Sequence, residues 1–81
     1  MAHTITIKIW DNKDNLIINK RIQIIDDYVT DTKLIIPFDE HLLQVLKEDT
    51  SYEIGLDNVP VTMHKAYKSG KWIVIDYHGG K

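Results

Sequence analysis

Val61-Thr62-Met63-His64-Lys65-Ala66-Tyr67-Lys68-Ser69-Gly70-Lys71-Trp72-Ile73-Val74-Ile75-Asp76-Tyr77 is the stretch whose reading decides the fold. Two runs rich in β-branched and aromatic residues flank Lys68-Ser69-Gly70-Lys71, and the Ser-Gly pair can reach the positive φ values that tight hairpins need. A β-hairpin is therefore expected. With its turn centred on Ser69-Gly70, Tyr67 faces Trp72, Ala66 faces Ile73, and His64 faces Ile75. Alternation then places Met63, Lys65, Tyr67, Trp72, Val74 and Asp76 on one face, and Thr62, His64, Ala66, Ile73, Ile75 and Tyr77 on the other.

Working back from this stretch, Asp57-Asn58-Val59-Pro60 reads as a turn, and Tyr52–Leu56 as a brief strand. Residues 40–48 carry a compact apolar stripe of Leu42, Leu43, Val45 and Leu46. Asp39 is placed to cap this helix, and Phe38 to staple onto Leu43. Lys33–Ile36 is a short β-branched run ended by Pro37. Leu16–Ile25 alternates, with Lys20 interrupting as a bulge or a snorkelling stem. Asp11-Asn12-Lys13-Asp14-Asn15 has turn chemistry, and before it Ile5, Ile7 and Ile9 alternate with Thr4, Thr6, Lys8 and Trp10 as in a half-buried strand. The expected class is α+β: a mainly antiparallel sheet of four to six strands built from two β-hairpins, with one short α-helix packed on one face.

The 81 residues fit one domain over residues 1–81, with 79–81 expected as a flexible tail. At 43% hydrophobic and 27% charged residues, the composition is that of a folding chain rather than a disordered one. Absence of cysteine excludes disulfides and thiolate metal ligands and suits a reducing, cytoplasmic setting. No apolar run approaches membrane-spanning length, so no membrane association is expected. Ten Lys plus Arg against twelve Asp plus Glu give a formal charge of −2, which supplies no global field for nucleic acid or anionic lipid.

Few residues carry chemistry. Ser51 and Ser69 follow a helix and occupy a turn, no nucleophile elbow is present, and no catalytic residue is assigned. An enzymatic reading would need folding to bring His64 together with Asp76 or Glu53 in one concave pocket. His3, His41, His64 and His78 have no ligand spacing, and in the register above His78 falls two or three places beyond a shared shell with His64. They are read as surface residues, and no metal is expected. Asp11–Asn15 lacks the Gly, the Glu and the length of a calcium loop, and no glycine-rich phosphate loop occurs; no cofactor or small-molecule substrate is inferred.

The hairpin remains the candidate surface. Neither face of it is plainly polar: a helix packed on Ile73 and Ile75 leaves Tyr67 and Trp72 on the free face, with Trp10 and Ile17 on the exposed side of the first hairpin, whereas a helix packed on Trp72 and Val74 makes them core. The expected function is a non-enzymatic interaction module with a protein partner or a second copy of itself. Trp72, Tyr67 and Trp10 are its anchors and Lys65, Lys68 and Lys71 surround them. The alternative is a single-stranded nucleic-acid binder, in which the same aromatic residues stack bases and the lysines neutralise phosphate. Finally, Gly79-Gly80 near the end of a hairpin-helix-strand order is similar in outline to the β-grasp ubiquitin-like carriers. That resemblance implies an activated C-terminal carboxylate, from which this chain departs by Lys81.

Overall fold

The computed structural model describes residues 2–48 and 50–79. It contains β1 (Ala2–Trp10), β2 (Leu16–Ile25), a 3₁₀ turn at Asp26–Tyr28, β3 (Lys33–Pro37), α1 (Glu40–Lys47), β4 (Ser51–Leu56), β5 (Val59–Ser69) and β6 (Trp72–Gly79). The six strands form one sheet in the order β2-β1-β4-β5-β6-β3, and every pairing is antiparallel.

The connection from β2 to β3 shows the shape of that sheet. In a flat six-stranded sheet the outer strands would lie about 24 Å apart, at about 4.8 Å per step. Ile25 ends β2, and Val29, only four residues later, bridges to Leu34 of β3. Four residues span about 14 Å at most, and three of these form a 3₁₀ turn. The sheet must therefore curl so that its two edges approach each other.

The concave side is apolar. Ile5, Ile7, Ile9, Ile18, Ile24, Leu34, Ile36, Ile54, Val61, Ile73, Ile75 and Tyr77 form one buried cluster with Leu42, Leu43, Val45 and Leu46 of α1. Tyr77 satisfies its hydroxyl at the rim by donating to the Thr30 carbonyl at 2.5 Å.

Local chemistry explains the connections. The Asp11 carboxylate accepts from the backbone N–H groups of Lys13 (2.8 Å) and Asn15 (2.9 Å), so it is occupied by its own turn. Those bonds hold its carboxyl below the usual carboxylate range. Asp57 (φ 50°) and Asn58 (φ 66°) make the tight turn between β4 and β5, a conformation that Asp and Asn tolerate better than most residues. Val59 and Pro60, expected in that turn, instead open β5, where Pro60 lies opposite Gly55. Asp39 caps α1 by accepting from the Leu42 N–H at 3.1 Å, and the Lys20 ammonium pairs with its other oxygen. Lys20 is thus no bulge: it shares the face of Ile7 and extends to the helix N-terminus. The bulge of this pair falls at Ile9/Trp10.

Asp39→Ala is expected to lower unfolding stability by about 1 to 2 kcal/mol, the usual cost of a lost N-cap. Asp39→Asn keeps a capping oxygen and loses only the part-exposed ion pair, so it should cost well under 1 kcal/mol. Urea titration of both variants checks the ordering.

Three expectations for the C-terminal stretch are corrected. Ser69 pairs with Trp72 and Tyr67 with Val74, so the turn is centred on Gly70-Lys71 rather than Ser69-Gly70. Gly70 has φ 60° and stands at the first central position, where a type II′ turn requires it. The slip is two residues, an even number, so the faces of Lys65, Tyr67 and Trp72 are unchanged. A bulge between Met63 and Lys65 then breaks the alternation and moves Met63 to the core side, opposite Tyr77. The chain end is also corrected. His78 and Gly79 are strand residues that pair with Thr62 and Val61, because the long β5 supplies backbone partners that far. Gly80 and Lys81, the remainder of the expected tail, lie outside the described residues.

Candidate interaction surface

Three cross-strand rows make up the convex face of β3, β6 and β5: Pro37–Trp72–Ser69, Ile35–Val74–Tyr67 and Lys33–Asp76–Lys65. The middle row is apolar. Val74 faces away from the main core yet is only 7% exposed, flanked by half-buried Ile35 and Tyr67. The Val29–Leu34 bridge brings the chain back alongside β3, and the Tyr28 ring lies against Trp72 with centroids 4.9 Å apart and planes tilted by 32°. Trp72 is therefore half-buried against a tyrosine rather than part of an open platform.

Of the expected lysines, Lys65 lies on this face beside Lys33, and Lys68 does not. Lys33 (2.6 Å) and Lys65 (3.6 Å) both approach the Asp76 carboxylate, and the hydrogen bond from Lys33 is the main reason that carboxyl is held below its usual range. The Lys65 ammonium also lies 5.5 Å from the Tyr67 ring centre. Lys68 is paired with the core-facing Ile73 and sits 4.8 Å over the Phe38 ring, on the opposite side of the sheet. Lys71 is exposed in the turn, where its carbonyl accepts from Phe38 N–H at 2.9 Å. Trp10 is half-buried on β1 near exposed Leu16 and Ile17, with β4 and β5 between it and β6. Tyr67 and Trp72 thus share a face, while Trp10 stands apart from them.

Curling of the sheet creates a feature that no local pattern announced. Between the facing edges lies a mostly apolar cleft of about 410 Å³, lined by Ala2, Gln23, Ile25, Tyr28, Pro37 and Trp72. Ile25, at its rim, is 51% exposed. These residues come from four separated segments, which explains why periodicity within any one segment could not find the site.

Two histidine arrangements accompany it. The His3 ring lies between two carboxylates, with Nδ1 2.5 Å from Asp57 Oδ2 and Nε2 on Asp26; the other oxygen of Asp57 accepts from Thr4 N–H at 2.8 Å. The hydrogen bond to Asp57, then that to Asp26, raises the His3 pKa above its ordinary 6.5. The bond from His3, then that from Thr4, lowers the Asp57 carboxyl below its ordinary 3.8. With both nitrogens directed at carboxylates, the protonated ring donates to both and ties the start of β1 to the β4–β5 turn and the 3₁₀ turn.

The pH dependence follows from the signs. The raised histidine stabilises fully below the unfolded value of 6.5 and loses that contribution as pH rises through its higher folded value. The lowered aspartate stabilises above 3.8 and loses its contribution as pH falls through its lower folded value. The melting temperature of wild type should therefore exceed that of His3→Gln most between about pH 4 and 6.5 and converge with it at alkaline pH. A constant gap across the titration would contradict the clamp.

The second arrangement is a pair. His78 Nδ1 and His64 Nε2 are 2.6 Å apart, with ring centroids at 4.5 Å. The expected register had kept them beyond mutual reach, and the Met63/Lys65 bulge overturns it by giving β5 an extra residue there, so that both rings meet on the exposed side. His64 is thus placed against His78, while Asp76 is taken up by lysines. Comparison of the chain with protein-family models, with curated proteins and with solved structures gives no match.

Proposed function

We propose that the domain is a non-enzymatic interaction module acting through a protein–protein surface, built as two β-hairpins with the helix packed on one face, and able to associate with a second copy of itself. The cleft between the sheet edges carries this reading. Its volume falls in the range of pockets that hold apolar ligands, its walls are an aromatic pair and a proline, and Ile25 extends its apolar rim into solvent. It adjoins the outer edge of β2, whose backbone groups can add a strand from a partner while one apolar side chain of that strand enters the cleft.

Amide spectra recorded with indole and toluene as probes test the cleft: shifts should concentrate at Ala2, Gln23–Ile25, Tyr28 and Trp72 and vanish in Trp72→Ala. Unmoved resonances at these positions would remove the proposed site. Light scattering on a sizing column tests self-association, with Ile25→Glu expected to return any dimer to monomer. A wild-type chain that stays monomeric at high micromolar concentration sinks the homodimer form.

Single-stranded nucleic-acid binding is the rival. Its signature is salt-dependent oligonucleotide binding weakened by Lys68→Ala, Lys71→Ala and Trp72→Ala. The division of Lys65 and Lys68 between opposite faces and the ion pairing of Lys65 weigh against it.

A further inference from the structure

We infer that His64 and His78 form a two-imidazole chelate for a divalent transition-metal cation, with Cu²⁺ the preferred ion. The observation is geometric. Two imidazole nitrogens on adjacent strands point at each other across 2.6 Å, held by a backbone irregularity rather than by flexible loops. Without the extra residue at the Met63/Lys65 bulge, strict alternation would place His64 on the face opposite His78.

The spacing matches one coordination geometry better than others. At a metal–nitrogen distance of about 2.0 Å, ligands at adjacent corners of a square lie about 2.8 Å apart, and ligands at tetrahedral corners about 3.3 Å. The first value is reached by a small outward swing of either ring, which is open to solvent. Cu²⁺ favours the square arrangement, prefers imidazole nitrogen and stands at the top of the divalent affinity series. In the hydrogen-bonded pair one facing nitrogen carries a proton and the other a lone pair. A cation needs lone pairs on both, so the protonated ring moves its hydrogen to its other nitrogen. For two neutral rings this is a change of tautomer with no net loss of protons. Among the described residues no group of three or more His, Asp and Glu side chains converges on one point, so water completes the coordination sphere. The site therefore differs from a closed structural zinc centre and exchanges its ion freely.

Because the ligands sit on β5 and β6, the ion binds the folded chain in preference to the unfolded one and raises its melting temperature. The test is a CuCl₂ titration of the full chain at neutral pH, followed by calorimetry, visible absorption and thermal unfolding. All variants carry His3→Gln so that the N-terminal histidine does not contribute. One equivalent should bind saturably, with a visible ligand-field band and a higher melting temperature. His64→Ala and His78→Ala should each lower the affinity at least tenfold and abolish the thermal shift, and Zn²⁺ should bind more weakly while Mg²⁺ has no effect. Both residues are exposed, so these variants should remain folded, which their amide spectra confirm. No binding, or binding that survives either alanine substitution, overturns the inference and leaves a hydrogen-bonded histidine pair only.

Discussion

Ile75→Ala should lower the unfolding free energy by about 3 to 5 kcal/mol, the upper part of the range for truncating a buried isoleucine. Ile75 is fully buried on β6, opposite Leu34 of β3, also fully buried, and Ala66 of β5. Neither neighbour can collapse into the space, since both are fixed by the ladder hydrogen bonds of the sheet. A chain of 81 residues has a net stability of about 4 to 12 kcal/mol, so the substitution should remove at least about a quarter of it and, at the lower end of that range, all of it. Ile75→Val removes one methylene group and should cost only about 0.5 to 1.5 kcal/mol. Urea denaturation of the two variants, at an unchanged slope, measures both values. Equal and small losses would mean that the curled sheet does not close on this residue.

Gly55→Ala is expected to destabilise the protein, and Thr6→Ala to reverse that effect. Gly55 lies in β4 between Thr6 of β1 and Pro60 of β5, and an added Cβ would stand 2.7 Å from Thr6 Oγ1. The next nearest atom, the Val59 carbonyl oxygen, is at an ordinary 3.8 Å, so the conflict is with one hydroxyl. Thr is β-branched and its χ1 is restricted, which leaves the hydroxyl little freedom to move aside. Overpacking of this kind costs about 1 to 3 kcal/mol, while replacing Gly at a backbone that Ala can adopt returns about 0.4 to 1 kcal/mol through the unfolded chain. The net loss should be about 1 to 2 kcal/mol in the Thr6 background and should vanish or change sign beside Thr6→Ala. A double-mutant cycle with no coupling would show that the two strands separate to accommodate the methyl group.

Much of the secondary structure was legible because its causes are local. The alternation of Ile5, Ile7 and Ile9 marked β1, and the Asp39 cap with the stripe Leu42, Leu43, Val45 and Leu46 marked α1. The short β3 was visible as a β-branched run before Pro37. Misreadings arose where one residue type has two uses. Pro60 has the chemistry of turn punctuation, but β5 begins at Val59 and carries it opposite Gly55. Ser69-Gly70 has the composition of a symmetric turn centre, but the first central position of the turn belongs to Gly70. The anchors of the candidate surface were legible only in part. Face parity alone put Tyr67 and Trp72 together, while the side chain that shields Trp72, Tyr28, lies 44 places earlier in the chain.

The sequence by itself thus marked most of the segments that become strands and helix and most of the residues that turn inward, Met63 and His64 excepted, since periodicity and capping act over a few residues. The tertiary structure alone decided three things: that β2 and β3 come close enough to enclose a cleft, that His3 reaches the carboxylates of Asp26 and Asp57, and that His64 meets His78. Each depends on contacts between residues 14 to 54 positions apart, or on a single extra residue in a bulge. Strand order, curl and bulge position are set by the packing of the whole sheet, and no window of sequence contains that information.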